Sequence, residues 1–290
     1  MNQTISSDTI INFQGALIQH GTYNDRIYLM KIGDADPVNL SGSIIRLAKE
    51  NNYSKIFARI PLPALKPFLE KGFVEEGRIP RFYHGREAAV FLGYYLDEKR
   101  KSESDAKELD KIIKLALKKH EAAKLLPPLE SLFRLRSCRP TDADKMATIY
   151  QEVFASYPFP IHDPTFLLKT MEEDVDYFGV ETDGELIALS SAEIDGEAKA
   201  AEMTDFATLP RWTGHSFGRH LLEYMEDIMK KKSIKTLYTI ARAISAPMNI
   251  TFAKSGYLFG GRMVNNTNIS GSIESMNIWY KYVGERKVIS

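Results

Sequence analysis

The chain has 290 residues, of which 44% are hydrophobic and 26% charged, a composition typical of soluble globular proteins and a length that accommodates two domains. Its 38 Lys and Arg residues balance its 38 Asp and Glu residues, which excludes a global positive field that would attract nucleic acid or an anionic membrane. The single cysteine, Cys138, excludes an intrachain disulfide and a thiolate-based zinc site, and favours a reducing compartment.

No stretch of the sequence predicts a membrane span or a metal site. The longest apolar run, Ala88 to Leu96, is interrupted by Gly93 and is too short to cross a bilayer, and the N-terminus has no secretory pattern. His215 and His220 lie five residues apart, which places them on different helical faces. We therefore expect a cytoplasmic protein with no metal, no membrane partner and no nucleic-acid partner.

The first half contains a segment that returns later in the chain. Residues 68–73 (FLEKGF) continue to Gly77-Arg-Ile, and residues 252–257 (FAKSGY) continue to Gly261-Arg-Met, with no gap between the aligned glycines. Two interpretations are open: residues 1–130 are a degenerate copy of the second half, or a helix, a glycine cap and a strand recur by chance. Because the first half has no glycine-bearing phosphate loop, we expect no cofactor there, and a substrate-lid role or a homodimer interface suits it.

Residues 98–124 are rich in Lys, Glu, Ala and Leu and predict an exposed amphipathic helix that connects two domains. Its apolar positions are Leu109, Ile112, Ile113, Leu115 and Leu117. Pro127 and Pro128 then stop the helix, because proline lacks the backbone donor and clashes with the preceding turn. The predicted domains are therefore residues 1–130 and residues 131–290.

The second half alternates strand and helix patterns. The predicted strands cover residues 132–137, 176–181, 185–194, 200–208, 236–241, 258–265 and 275–282, and the predicted helices cover residues 143–155, 164–173, 217–232 and 247–254. Asp183-Gly184 is a strong hairpin signal, and Thr141 is positioned to cap the helix that follows it. The order predicts an α/β (α+β) fold, a mixed sheet flanked by helices.

A polar loop links the strand ending at Thr208 to the helix beginning at about Phe217. Such an arrangement aims backbone N–H groups and the positive end of a helix dipole at one point, as a pyrophosphate site requires. Gly214 and Gly218 allow close approach of the backbone, and His215, Ser216 and Arg219 can add side-chain contacts. The alternative interpretation is an ordinary strand-to-helix connection with a polar cap.

This loop resembles the acetyl-CoA motif of GNAT acetyltransferases, in which a strand is followed by Arg/Gln-x-x-Gly-x-Gly/Ala and a helix. Residues 254–257 (KSGY) resemble the family's later Lys-x-Gly-Phe ending, and residues 133–144 resemble its first strand and turn. Thr213 departs from the Arg/Gln position and Ser216 from the first glycine, whereas Gly218 is retained. The resemblance implies acetyl-CoA as co-substrate and a GNAT-type fold. The cofactor-binding residues that it implies are Ala207, Thr208, Thr213, Gly214, His215, Ser216, Phe217, Gly218, Arg219, Asn249 and Phe252.

A narrower resemblance is to the β-lysine N-acetyltransferases, which make the compatible solute N6-acetyl-β-lysine. The segments that carry it are His20-Gly21, Asn24 to Tyr28, Tyr238 to Ala243, Ser245 to Asn249, Phe252 to Tyr257, Asn265 to Gly271 and Glu274 to Lys281. Together they span most of the chain. The resemblance, and not spacing or composition, implies β-lysine as the acceptor.

Acyl transfer to a lysine-type amine requires a base, because the pKa of the ammonium is about 10.4 and little neutral amine exists at pH 7. By strand alternation, Glu202, Thr204, Phe206 and Thr208 share one face, and Asp205, on the other face, is the weaker candidate base. GNAT enzymes with a strand-borne glutamate place it six residues before the backbone N–H that meets the thioester carbonyl. The resemblance thus implies Glu202 as base, directly or through water, and Thr208 N–H as oxyanion donor; alternatively, Glu202 is a solvated strand residue.

The general acid stays unassigned from the sequence. Many family members have a tyrosine four residues before the helix-ending glycine, where this chain has Phe252, which cannot donate a proton. Because the pKa of a thiol is about 8.5, the thiolate can leave and take a proton from water, or another group serves.

A β-lysine pocket needs an arginine for the carboxylate and an acid or amide for the second amine. The candidates are Arg242, Asn249, Asn265 and Glu274, each of which has an equally good structural interpretation, as a surface pair or a turn residue. Two rival functions remain: acetylation of another small amine, a polyamine, an aminoglycoside or a protein lysine, and a non-catalytic GNAT-like protein that binds acetyl-CoA or another partner.

Overall fold

A computed structural model describes residues 8–121, 125–155, 157–269 and 271–283 of the chain. The first half contains β1 (Thr9–Phe13), β2 (Ala16–Gly21), β3 (Arg26–Lys31), α1 (Pro37–Glu50), β4 (Lys55–Pro61), α2 (Leu65–Glu70), β5 (Val74–Tyr83), β6 (Glu87–Tyr95) and α3 (Ala106–Glu121). The second half contains β7 (Arg134–Ser137), α4 (Ala143–Val153), α5 (Pro164–Glu172), β8 (Val175–Thr182), β9 (Glu185–Asp195), β10 (Ala200–Thr208), α6 (Phe217–Lys231), β11 (Thr236–Arg242), α7 (Ala246–Lys254), β12 (Leu258–Ile269) and β13 (Ser272–Tyr282).

The mixed sheet flanked by helices that the sequence predicts is confirmed in the second half. Strand β10 has the predicted bounds, and the hairpin between β8 and β9 turns at Asp183 and Gly184, both with positive φ (48° and 80°) as a two-residue turn of this kind requires. The capping prediction for Thr141 is wrong. It lies inside a short 3-10 helix, and the Asp142 carboxylate accepts the Arg139 N–H (2.7 Å) instead.

The connector helix is shorter and more closely packed than the sequence predicts. Of the predicted range 98–124, α3 covers residues 106–121, and residues 122–124 lie outside the described residues. Ala116 completes the buried stripe with Leu109, Ile112 and Ile113, whereas Leu115 and Leu117 are exposed. The stripe faces α7, so α3 packs against the second half and is not a free connector.

All thirteen described strands belong to one sheet, in the order β1-β2-β3-β4-β6-β5-β12-β13-β11-β10-β9-β8-β7. In the first half, β1, β2 and β3 are antiparallel, β3 and β4 are parallel, and β4, β6 and β5 are antiparallel. The second half repeats this pattern with β8, β9, β10, β11, β13 and β12. The halves thus share strand order and pairing senses, while their origin by duplication stays a prediction.

The two halves join where β5 pairs with β12, at Gly77 and Gly261. These are the glycines that the sequence alignment of the two halves matches. A Cβ on Gly261 would lie 2.3 Å from the Glu76 carbonyl oxygen and 2.4 Å from the Gly77 Cα. Only glycine allows the strands to approach this closely, so the junction depends on this pair.

Each half has its own hydrophobic core beneath its helices, and a third apolar cluster lies across the junction. The junction cluster combines Phe57 and Phe82 of the first half with Tyr238, Met263 and Ile278 of the second. It therefore packs the halves against each other and forms the floor beside the cavity described below.

Within the described ranges, none of the helices combines the length and the apolar sequence that a membrane span needs.

Candidate active site

The candidate base lies on β10, between β9 and β11. Glu202 pairs with Glu193 of the antiparallel neighbour β9 and with Tyr238 of the parallel neighbour β11. Pairing between β10 and β11 ends at Glu202 and Tyr238, although β10 continues to Thr208. The two strands therefore separate after Glu202, and the backbone of β10 beyond this point has an open side.

A β-bulge interrupts β10 and overturns part of the predicted geometry. The register with β9 shifts between Thr204 and Ala207, and Asp205 has a φ of 54°. Thr204 pairs with Ser191, whereas Thr208 pairs with Ala188, three residues away on β9 and so on the opposite face. The prediction that Glu202 and Thr208 share one face is therefore wrong, because the bulge adds one residue to the alternation.

The bulge also redirects Asp205. Its side chain was predicted to point away from Glu202, but both residues line the same cavity. The Asp205 carboxylate accepts hydrogen bonds from the Tyr157 hydroxyl (2.5 Å) and the Ser191 hydroxyl (2.6 Å). Burial raises the pKa of Asp205, and these hydroxyl donors oppose the rise. Two carboxylates of β10 thus lie on the cavity.

The N–H of Thr208 points to the open side of β10. Leu209 N donates to the Ile187 carbonyl of β9 (3.0 Å), and consecutive N–H groups of a strand point in opposite directions. The Thr208 N–H is therefore directed toward β11, beyond the end of the β10–β11 pairing. This position suits an oxyanion donor even though the side-chain face differs from the prediction.

A cavity of about 240 Å³ lies between the two halves, and Glu202 lines it. The charged residues that the first half contributes are Arg26, Lys31 and Arg59, whereas the charged residues that the second half contributes are all acidic. The acidic residues on the cavity are Glu193, Asp195, Glu202 and Asp205. The cavity therefore has a basic wall from one half and an acidic wall from the other.

The surroundings of Glu202 raise the pKa of its carboxyl group. Burial raises the pKa of Glu202 to about 7, Asp205 adds to the rise, and Arg59 and a hydrogen bond with Tyr238 oppose it. A carboxylate with a pKa near 7 is able to accept a proton at physiological pH and release it again.

Arg59 links the basic wall to the acidic one. Its Nη1 donates to the Tyr238 hydroxyl (2.6 Å), its Nη2 donates to the Met30 carbonyl (3.1 Å), and Asp195 lies 4.0 Å from Nη2. Tyr238 in turn contacts Glu202. Arg59 therefore belongs to the first half but sets the charge around the candidate base in the second.

The loop before α6 presents unused backbone donors. The N–H groups of residues 214–218 donate to no acceptor in the described part of the chain, and the N-cap Ser216 makes no side-chain capping bond. A Cβ on Gly214 would meet nothing within 4 Å, and one on Gly218 only the Thr251 methyl at 3.7 Å. The start of α6 is thus open, as binding of a CoA pyrophosphate requires.

Ser216 has a φ of 60°, in the left-handed region that favours glycine. This explains why the related motif has glycine at this position. The Thr213 hydroxyl donates to the Pro210 carbonyl (3.0 Å), Phe217 is buried, and the His215 ring stacks on Phe217 (5.3 Å between centroids). The side chains of Thr213, His215 and Phe217 shape the loop, and its backbone is the part left available.

Asn249 and Phe252, two predicted cofactor residues, are buried in the core. Asn249 Nδ2 donates to the carbonyls of Arg242 (3.0 Å) and Ser245 (2.8 Å). Its Oδ1 accepts hydrogen bonds from Asn277 and Trp279 (2.8 and 2.9 Å). Asn249 therefore ties α7 to the sheet, and Phe252 packs edge-on against Phe206 and Tyr257.

The four predicted substrate residues do not line the cavity of Glu202. Arg242 and Glu274 form a two-hydrogen-bond ion pair with each other (2.8 and 2.6 Å). Asn265 Nδ2 donates to the carbonyls of Arg100 and Ser102 in the first half (3.0 and 2.9 Å). The substrate-binding role of Arg242, Asn249, Asn265 and Glu274 stays a prediction, and the structure shows that each of them also has a hydrogen-bond partner within the protein.

The residues of the basic wall of the cavity are not among the predicted site residues. Arg26 and Tyr28 fall within the segment Asn24 to Tyr28, and Asn266 and Thr267 fall within the segment Asn265 to Gly271, both of which carried the narrower resemblance. The signal was therefore present as a motif, but its role depends on contacts between residues about 240 positions apart.

The chain is similar to known N-acetyltransferases. A profile of the acetyltransferase (GNAT) family matches residues 145–257. The chain is 39% identical over 274 residues to a β-lysine N6-acetyltransferase of Methanococcus maripaludis, covering 94% of this chain and 98% of that one. It is 34% identical to the N-acetyltransferase YodP of Bacillus subtilis, covering 92% and 95%. The ribosomal-protein-S18-alanine N-acetyltransferase of Escherichia coli superposes with a TM-score of 0.47 at 18% identity, covering 55% of this chain and 98% of that one.

Proposed function

Because this chain belongs to the GNAT acetyltransferases, in the family that includes the β-lysine N6-acetyltransferases, we propose that it transfers the acetyl group of acetyl-CoA to the N6 amine of β-lysine. The observation that carries the proposal is the cavity between the halves, where Glu202, with a pKa of about 7, lies beside the point at which β10 separates from β11. An amine acceptor and a thioester can meet there.

Acetyl-CoA is held by backbone groups in this proposal. The free N–H groups of residues 214–218 and the positive end of α6 bind the pyrophosphate. The Thr208 N–H, on the open side of β10, donates to the thioester oxygen as negative charge develops on it. Ala207 and Arg219 flank these groups, on the strand and in the first turn of the helix.

Glu202 removes the proton that the attacking amine loses. Thr208 is six residues further along β10, a span of up to about 20 Å in an extended strand, so we assign the proton transfer to a bridging water and not to direct contact. The ammonium first loses one proton through water to Glu202, which releases it to bulk solvent, and the neutral nitrogen then bonds to the thioester carbon. As the carbon–sulfur bond breaks, the nitrogen gives its second proton to water. Since Phe252 has no proton to give, the departing thiolate takes one from water.

Asp205 is the second candidate base, because it lies on the same cavity and only three residues before Thr208. Both of its oxygens already accept hydroxyl hydrogen bonds, which stabilise the charged form and make it a weaker proton acceptor than Glu202. We therefore assign Asp205 to the positioning of Tyr157 and Ser191 at the cavity wall.

Acetylation would convert β-lysine, with two ammonium groups and one carboxylate, into a zwitterion of zero net charge. A neutral, highly soluble zwitterion suits the role of a compatible solute, which we propose for the product. We place the reaction in the cytoplasm, supported by the single cysteine of the chain, which favours a reducing compartment.

The test is a steady-state assay of CoA thiol release with β-lysine, α-lysine and spermidine as acceptors. We expect β-lysine to have the highest kcat/KM by at least about tenfold, since its amine and carboxylate spacing would match the cavity. Equal values for the three acceptors, or a preference for spermidine, would reject β-lysine as the substrate.

A further inference from the structure

Arg26, on β3 of the first half, lines the cavity but is only 5% exposed. All of its hydrogen bonds to described residues leave from Nη1, to the Asn266 carbonyl and to the Thr267 hydroxyl (3.1 Å). Its Nε is buried without a partner. One edge of the guanidinium, formed by Nε and Nη2, is thus unused in the described part of the chain.

No carboxylate of the described residues forms an ion pair with Arg26, whereas Arg59 and Arg100 each lie beside an aspartate. Burial and the nearby positive charge of Arg100 lower the pKa of Arg26 to about 10. A buried charge without a counter-ion is costly, and removal of a partner from such a pair is strongly destabilising. An anionic group that enters the cavity would supply the ion-pair partner that Arg26 lacks among the described residues.

Asn266 supplies a complementary unused atom next to Arg26. Its carbonyl accepts the Arg26 hydrogen bond, its side chain lines the same cavity, and it is 1% exposed. The Oδ1 atom of Asn266 has no hydrogen-bond partner in the described structure. Buried polar atoms without partners are rare and call for an explanation, such as a ligand.

We propose that Arg26 and Asn266 form the subsite for the head group of the acceptor, an amino acid with a remote second amine. The acceptor carboxylate takes two parallel hydrogen bonds from Nε and Nη2 of Arg26, and the adjacent ammonium donates to Asn266 Oδ1. The head group held in this way leaves the remote amine to reach Glu202 along the cavity. This inference rests on the proposed function. It assigns recognition of the acceptor head group to a subsite whose arginine comes from the first half.

The experiment compares β-lysine with β-lysine carboxamide, which has no negative charge, on the wild type and on Arg26→Gln. For the wild type we expect a KM about 30-fold lower for the acid than for the amide, the size of a bidentate charged contact. For Arg26→Gln we expect the KM of the acid to rise by the same factor, with kcat and the amide KM little changed.

Two further variants test the head-group subsite if Arg26→Gln loses stability. Arg26→Lys retains the charge without the planar fork, so we expect it to recover only part of the preference for the acid. Arg100→Gln removes a buried arginine of the same junction that does not line the cavity. We expect it to lower the melting temperature but to preserve the ratio of the acid and amide KM values.

The outcomes separate this inference from the proposed function. If the wild type acetylates the acid and the amide equally well, or if Arg26→Gln raises both KM values by one factor, the head-group subsite is wrong although the enzyme acts on β-lysine. If neither acceptor is acetylated, the proposed function fails, and calorimetric titration of the wild type with the two compounds decides the subsite. Tighter binding of the acid supports it, and equal or absent binding overturns it.

Discussion

The two strand-to-helix crossovers of the molecule occupy equivalent places but have opposite helix starts. Between β3 and α1, the Asp36 carboxylate accepts the Asn39 N–H (3.0 Å) and so closes the start of its own helix. Between β10 and α6, Ser216 makes no side-chain cap, and the N–H groups of residues 214–218 have no acceptor among the described residues. The helix start is thus capped by a carboxylate in the first half, whereas in the second half it is accessible to an anion.

The difference extends to the parallel strand pairs that follow. Counted outward along the sheet from the Gly77–Gly261 junction, the equivalent positions are Arg59 and Ile240, Phe57 and Tyr238, and Tyr28 and Glu202. The first half therefore has a tyrosine where the second has its candidate base, and an arginine where the second has an isoleucine. One half is equipped for catalysis, and the other supplies positive charge to the shared cavity.

The largest effect is expected from removal of the base. Glu202→Gln should lower kcat by about 10²- to 10⁴-fold, because the amide cannot accept the amine proton, while acetyl-CoA binding measured by calorimetry stays unchanged. Glu197→Gln, an exposed position near the same strand that does not line the cavity, is the matched control and should keep full activity. A larger loss in Asp205→Asn than in Glu202→Gln would assign the base to Asp205.

The difference between the two crossovers can be tested by giving the second helix an acidic cap like that of the first. Ser216→Asp places a carboxylate at the open start of α6, where it would accept the free N–H groups and repel pyrophosphate. We expect the Kd for acetyl-CoA to rise by about 10- to 100-fold, on the scale of charged hydrogen bonds. Ser216→Asn, which is similar in size and tolerates positive φ, should change it little. Unaltered binding by Ser216→Asp would show that the pyrophosphate lies elsewhere.

The charge that the first half provides to the base can be measured as a pH shift. Glu202 acts as a base only when deprotonated, so kcat/KM should fall as the pH drops through about 7. Arg59 lowers the pKa of Glu202, so Arg59→Gln should move this acidic limb toward higher pH by about one unit. If the acidic limb of the pH-rate profile of the folded variant stays in place, the charge of Arg59 does not control the titrating group.

The smallest effect is expected from a substitution in the crossover between β3 and α1. Asp36→Ala removes the cap of α1 and should lower the free energy of unfolding by about 1 kcal/mol, measured by urea denaturation. The Kd for acetyl-CoA should not change, because the phosphate cradle belongs to the other half. A gain of a second acetyl-CoA site in the variant would contradict the expectation that the first half binds no cofactor.

The sequence predicts this fold well where a local pattern determines it. The bounds of β10 follow from its flanking turns, and the Asp183-Gly184 hairpin follows from residues that tolerate positive φ. The bulge at Asp205 has no such local sign, because a non-glycine residue adopts positive φ there under the constraint of Ser191 and Tyr157. The alternation rule therefore fails at the site itself.

The binding residues could not be found by local pattern for a different reason. Asn249 and Arg242 look available in the sequence, but in the folded chain they form hydrogen bonds with Asn277, Trp279 and Glu274. Conversely, Arg26 has the appearance of an ordinary strand residue and becomes a candidate only because Asn266, 240 residues away, meets it at the cavity. Satisfaction of polar groups is a tertiary property.

The most direct test of the account is a competition reaction in which wild-type enzyme and limiting acetyl-CoA meet equal concentrations of β-lysine, α-lysine and pentane-1,4-diamine, which is β-lysine without its carboxylate. Mass spectrometry and NMR of the products at low conversion give the ratios of kcat/KM and the nitrogen that is acetylated. The account predicts N6-acetyl-β-lysine as the dominant product. Equal acetylation of the diamine, or acetylation of β-lysine at its 3-amino group, would contradict it.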